Sequence, residues 1–334
     1  MIITPTGRSG AILALLLLAS SGLVQPSEVM SQELPALVAS CGATSEALTL
    51  LCHRAALAVD AARGGLGTAA SRGSEIYGSA STLGYRLRSS PRLALSARAG
   101  VVRFSMVDLR DGSSWQNGSG AEGFFVPSLS LAGSVGLFNG FSPAPTVGGV
   151  LSLDVTGSTH WVFAPGGRGF QEGLLGWGLG VRMGILRESF TLPGVSVSLT
   201  RRWMGSTGVG NVDRGDPAEA VFDLNVTSVR GVVGKDILGF GLLAGLGWDR
   251  NSGEATIRAR VPAGGPEGTA SASDLVSKRI VFFGGASRTF LILQISGEAG
   301  WSRALDRELP REPGTDSFPS SSAYFASIAA RLTF

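Results

Sequence analysis

Between Leu175 and Ile185 every second residue is large and apolar. Leu175, Trp177, Leu179, Val181, Met183 and Ile185 share one face, and Gly176, Gly178, Gly180, Arg182 and Gly184 share the other. Successive side chains of a strand point to opposite faces, so this period of two predicts a β-strand with one apolar side. The segment Leu238 to Trp248 repeats the pattern. Leu238, Phe240, Leu242, Ala244, Leu246 and Trp248 oppose Gly239, Gly241, Gly245 and Gly247, with Leu243 out of step. In a third segment Leu291, Leu293, Ile295, Ala299 and Trp301 oppose Gln294, Ser296, Glu298 and Ser302.

The second face decides where the apolar one points. A soluble sandwich buries its apolar face and covers the other with Lys, Glu and Thr. Here the other face is Gly, Ser, Ala and an occasional Arg, too small and weakly charged for a solvated exterior. Strands of about ten residues, apolar outward and small or polar inward, are the pattern of an all-β, transmembrane, antiparallel up-and-down β-barrel. Composition agrees: 49 glycines and only 16% charged residues in 334 disfavour a helical protein. Beyond the N-terminus there is no run of the roughly 20 apolar residues that a spanning helix needs. The net charge of +3 is scattered, which argues against a nucleic-acid partner.

The last segment alternates Tyr324, Ala326, Ile328, Ala330, Leu332 and Phe334 with Ser327, Arg331 and Thr333. A final strand ending in phenylalanine resembles the closing strand of Gram-negative outer-membrane β-barrel proteins. The resemblance implies a bacterial outer-membrane location, contact with its lipid, and recognition of Tyr324, Ile328, Leu332 and Phe334 by the barrel-assembly machinery. It specifies an address rather than an activity.

At the other end Arg8 precedes the apolar run Ala11 to Ala19, followed by Ser20, Ser21 and Gly22. This reads as a secretory signal over 1–21, cleaved after Ser21. Residues 22–63 are then expected to form a periplasmic or plug segment with a helix, and 64–334 the barrel. In an exported chain Cys41 and Cys52 favour a disulfide, with two unpaired thiols as the alternative. One continuous helix would hold them about 16 Å apart, so the bond requires a break at Gly42. Thr44 or Ser45 would then cap a helix from about Glu46 to Ala62. Only His53 lies near the cysteines, so no metal site is expected, and no cofactor is implied.

Counting strands back from the C-terminus gives twelve if Gly64 to Ala70 rises and Ser79 to Arg88 returns. Ten or fourteen follow from assigning that pair, or Glu254 to Arg260, differently; Glu254 to Val261 could also extend the preceding hairpin beyond the membrane. Short turns at Asn139 to Pro145, Glu188 to Gly194, Gly234 to Asp236 and Ser287 to Thr289 alternate with longer polar connections such as Arg110 to Glu122 and Ala304 to Ser321.

The alternation assigns Arg86, Arg88, Arg98, Asp154, Arg182, Asp223, Asn225, Glu298 and Arg331 to the lumen. Mixed charges there can bias ion passage through a pore, or form ion pairs that fill a closed barrel. Trp177, Trp203, Trp248, Trp301 and Tyr324 are expected in interfacial girdles. The glycine-lined inner faces of 176–184 and 239–247 are expected to receive the Cys41 to Ala62 helix at the periplasmic mouth, since glycine permits close backbone approach.

No HExxH, P-loop or G-x-S-x-G pattern is present, so an enzyme is not expected. His160, with Ser158 nearby, is the one histidine on the barrel part and reads as a loop or girdle residue. Two functions remain: a channel or porin for small solutes, or a closed structural or surface-interaction barrel.

Overall fold

A computed structural model of the chain describes residues 33–85, 90–110, 121–143, 147–164, 166, 169–305, 309 and 322–334. The expected signal peptide and the lumen candidates Arg86 and Arg88 lie outside the described residues.

Two helices, α1 (Glu33–Gly42) and α2 (Glu46–Ser71), precede ten strands: β1 (Leu93–Met106), β2 (Glu122–Phe138), β3 (Ser152–Val162), β4 (Leu174–Leu186), β5 (Gly194–Val209), β6 (Ala218–Ile237), β7 (Phe240–Arg260), β8 (Glu267–Phe290), β9 (Leu293–Ala304) and β10 (Ser322–Thr333). Each strand pairs antiparallel with its sequence neighbours, and β1 pairs with β10 to close the barrel. Closure leaves no sheet edge unpaired, which a spanning sheet requires where lipid offers no hydrogen bonds. Leu93 and Phe334 complete the seam by exchanging backbone hydrogen bonds of 2.8 and 3.2 Å. We call the end that carries Leu93 and Phe334 the terminal rim and the opposite end the loop rim.

The strand count is ten because Gly64 to Ala70 is not a strand but the last third of α2. Small residues there satisfy a helix that has to fit inside a barrel, a constraint invisible in strand periodicity. Added Cβ atoms on Gly64, Gly65 and Gly67 would collide with Arg279, Phe104 and Asn251 of the wall. Ser45 caps α2, its Oγ accepting from Leu48 N at 3.2 Å, and the break before it brings the Cα atoms of disulfide-bonded Cys41 and Cys52 to 5.9 Å.

Two terminal-rim hairpins turn at 238–239 and 291–292, a few residues beyond the turns expected from Gly234 to Asp236 and Ser287 to Thr289. Leu238 and Leu291 adopt φ values of 54° and 55°. Leucine in the left-handed region carries none of the Asn-Gly signal by which such hairpins are recognised.

Strand lengths are uneven. β6, β7 and β8 run for 20, 21 and 24 residues, whereas β3, β9 and β10 have 11 or 12. The segment 254–260 extends the β6–β7 and β7–β8 ladders, so the surplus forms a wall standing above one side of the loop rim. On this wall the polarity of the faces inverts. Ala220, Phe222, Leu224, Ile257 and Ala259 point inward and are buried, while Asp223, Asn225, Glu254, Thr256 and Arg258 lie on the outer face. Asp223 and Asn225 are therefore not lumen residues. The wall packs its apolar face on the helices and shows its polar face to water, the reverse of the membrane-level arrangement.

Candidate functional site

The lumen is the site, and the chain fills it with its own N-terminal segment. α2 enters at the loop rim, where the wall residue Gly268 lies against Cys41 and Leu48. Further along, Asn251 Nδ2 donates to Arg63 O at 3.4 Å, and the Thr68 and Ser302 hydroxyls meet at 2.8 Å. After Ser71 the backbone continues toward the terminal rim. There Gly78 O accepts from Ser287 Oγ and Gln294 Nε2, both at 3.1 Å, and Gly84 O accepts from Arg92 N beside the start of β1.

Nearest the loop rim the filling is apolar. Leu48, Leu51, Val59 and Leu66 of α2 are buried in one cluster with Phe104, Phe124, Phe222, Leu224 and Ile257. Phe124 stacks on Phe104 and meets Phe170 edge-on, with centroids 5.9 Å apart in both pairs. Each large apolar side chain buried in this way contributes about 1.5–3 kcal/mol.

Beyond the helix C-terminus the filling becomes ionic. Arg230 of β6 pairs with Asp249 of β7 (Nη1 to Oδ1, 2.6 Å; Nη2 to Oδ2, 2.9 Å), and the same Arg230 Nη2 donates to Ser71 O at 2.7 Å. Ser71 Oγ donates to Asp249 Oδ2 at 2.8 Å. Arg202 makes two bonds to Glu75, at 2.7 and 2.6 Å. Arg98 and Glu298 form an ion pair, Glu298 also accepts from Ser74 N at 3.0 Å, and Arg98 lies 3.9 Å from the Tyr77 ring centroid. Arg230 and Arg98 also serve carbonyls left unpaired at the helix C-terminus, donating to Ser71 O and Arg72 O.

Arg98, Asp154, Arg182 and Glu298 lie in the lumen and are buried. They hold the tether rather than line an open path. Asp154 accepts from Leu83 N at 3.1 and 2.9 Å, and Arg182 donates to Ser196 Oγ and Ser79 O at 3.0 and 2.7 Å. Arg331 also points inward, where its Nε and Nη1 find no partner among the described residues.

The glycine wall has a different role from the one expected. Room at Gly247 is taken by Arg230, at Gly245 by Phe283 and at Gly178 by Ser158 and Arg202, so these glycines clear space for side chains of neighbouring strands. The helix packs mainly on β6, β7 and β1, and enters from the loop rim rather than the terminal one.

Sequence reasoning missed Arg72, Glu75, Arg202, Arg230 and Asp249. For Asp249 the signal was available, since continuing the two-residue count from Gly245 and Gly247 reaches it. It also missed His160, which is not a girdle residue but is buried in the lumen, its Nε2 2.9 Å from Ser158 Oγ.

On the outside, large apolar side chains of most strands are exposed, among them Leu129, Leu131, Leu179, Leu242, Leu246, Ile295, Ile328 and Leu332. A row of four aromatic residues and one arginine bounds this belt: Phe282, Trp301, Tyr324, Arg103 and Phe125 pair in succession across five strands. Trp177 stacks on Trp203 at 4.1 Å on the opposite side. A closed sheet with an apolar belt and an aromatic girdle is a membrane-spanning barrel of the outer-membrane type. The final-strand residues Tyr324, Ile328 and Leu332 face outward within that belt.

No family model and no curated protein matches the sequence. Among solved structures the chain is similar to the translocator domain of autotransporter NalP from Neisseria meningitidis (10% identity, 73% of this chain and 88% of that one, TM-score 0.41). It is also similar to the transport unit of autotransporter AIDA-I from Escherichia coli (10%, 82% and 99%, 0.36) and to Neisserial surface protein A (8%, 73% and 97%, 0.27). At these scores the assignment rests on the chain's own closure, belt and girdle.

Proposed function

We propose that this chain works as a closed outer-membrane barrel whose water-exposed loop rim, rather than an open lumen, meets its partners at the cell surface. The occupied lumen carries the reading: α2 and the tether through Gly84 run from one rim to the other, held by the Arg230–Asp249, Arg202–Glu75 and Arg98–Glu298 pairs. A channel or porin for small solutes is the rival, and it requires the tether to move. The reading is non-enzymatic, since Ser158 and His160 line an enclosed space with room for about one water. Assembly would proceed through recognition of the β10 strand and Phe334 by the barrel-assembly machinery.

Planar-bilayer recording of the purified, folded barrel tests this. Silence is expected from the wild type, with conductance appearing when Asp249→Asn and Glu298→Gln loosen the tether. Stable open steps from the wild type would overturn the closed reading in favour of the channel.

A further inference from the structure

Just beyond the end of α2 three buried arginines share two carboxylates. Among them lies an enclosed cavity of about 10 Å³, which is space for the centre of one water-sized particle. Arg72, Arg98, Arg202, Glu75, Tyr77 and His160 line it, and its three arginines are all nine-tenths or more buried. Two of them have carboxylate partners, Arg98 with Glu298 and Arg202 with Glu75.

Arg72 has none. Its guanidinium donates to Ala69 O, Ser128 Oγ and Ser128 O, all neutral oxygens. The helix C-terminus supplies the equivalent of about half a negative charge. That half charge is shared with Arg98, which donates to Arg72 O, and with Arg230, which donates to Ser71 O. The Nε atoms of Arg72, Arg98 and Arg202 have no hydrogen-bond partner among the described residues. His160 adds a ring held by Ser158 and no negative charge. A buried guanidinium without a counter-charge of its own is strongly unfavourable, and none of the described residues supplies one to Arg72.

We propose that this cavity binds a small monovalent inorganic anion of chloride size, held by Arg72, Arg98 and Arg202. Size selects the class. A space for one water-sized particle admits a halide and excludes phosphate, sulfate or a carboxylate ligand. The anion would serve as a structural counter-ion that completes the join between helix and wall, whether or not the barrel ever conducts.

The full mature barrel is refolded in sodium bromide and, separately, in sodium gluconate of equal ionic strength, because an enclosed site exchanges slowly once formed. Anomalous diffraction from the bromide form should place a peak among Arg72, Arg98 and Arg202. The melting midpoint should be higher in bromide by about 2–4 °C, and Arg72→Met should abolish the difference. A cavity without an anomalous peak, together with equal midpoints, would mean that water alone occupies it and would overturn the proposal. A peak confined to the protein surface counts as an adventitious ion only and overturns it equally. Should Arg72→Met fail to fold, the wild-type diffraction decides by itself.

Discussion

Arg98 of β1 and Glu298 of β9 stand on either side of the closing strand β10 and meet inside the lumen, where both also hold the backbone of Ser74. One ion pair thus ties the barrel seam to the tether that descends from α2. Removing one partner of a buried pair costs about 3–5 kcal/mol, whereas replacing both with apolar groups is often neutral. Glu298→Ala is therefore expected to lower the unfolding midpoint strongly. The double variant Arg98→Met, Glu298→Leu should recover most of the loss. Urea unfolding followed by heat-modifiable gel migration reads both, and an undiminished Glu298→Ala midpoint would remove the clamp from the account.

Gly65 offers a test in which two effects have opposite signs. On an exposed helix, Gly→Ala stabilises by about 0.8–1 kcal/mol. At Gly65 the new methyl meets the Phe104 ring, and overpacking a filled core costs about 1–3 kcal/mol. Gly65→Ala should destabilise the barrel, with Gly65→Leu preventing α2 from seating. A rise in the urea midpoint of Gly65→Ala would show that the helix is not pressed against β1.

The Cys41–Cys52 bond joins α1 to the second turn of α2 across a short loop, and a loop of that length is worth about 2–3 kcal/mol of reduced chain entropy. Reduction, or Cys41→Ser with Cys52→Ser, should free α1 for proteolysis while Arg63 to Ser71 stays protected. Limited digestion with mass-spectrometric mapping distinguishes this from loss of the whole plug, which would show cuts throughout α2.

Deleting Phe334 removes two backbone hydrogen bonds to Leu93 at the seam as well as the terminal aromatic. The expected outcome is a lower fraction of folded, membrane-inserted barrel. Insertion at the wild-type level would separate the terminal phenylalanine from assembly.

Much of this fold was legible because lipid and lumen demand opposite chemistry on alternate residues. Leu175 to Ile185 shows the clearest case, and the resemblance of the last strand pointed to the same class. Legibility failed where that demand lapsed. Gly64 to Ala70 is small enough to pass for strand, yet it is helix because its surroundings are side chains rather than lipid. Asp223 and Asn225 lie above the membrane, where the outward face becomes the polar one. Arg72 and Glu75 follow a helix, outside any strand register, so no periodic count could assign them. The Cys41–Cys52 disulfide was open to a second reading until the break at Gly42 and the Ser45 cap were seen together.

The inversion of the long strands marks a waterline. Outside the barrel, Val229, Trp248 and Ile280 form one paired row, and Thr227, Arg250 and Lys278 form the next. Above that level Phe222, Leu224 and Ile257 face inward in an aqueous compartment, packed in one cluster with the helices. Withdrawing the helices would wet a tall greasy cup as well as an empty bore. Plug and palisade therefore stand or fall as one unit, and emptying this barrel resembles unfolding more than the swing of a gate.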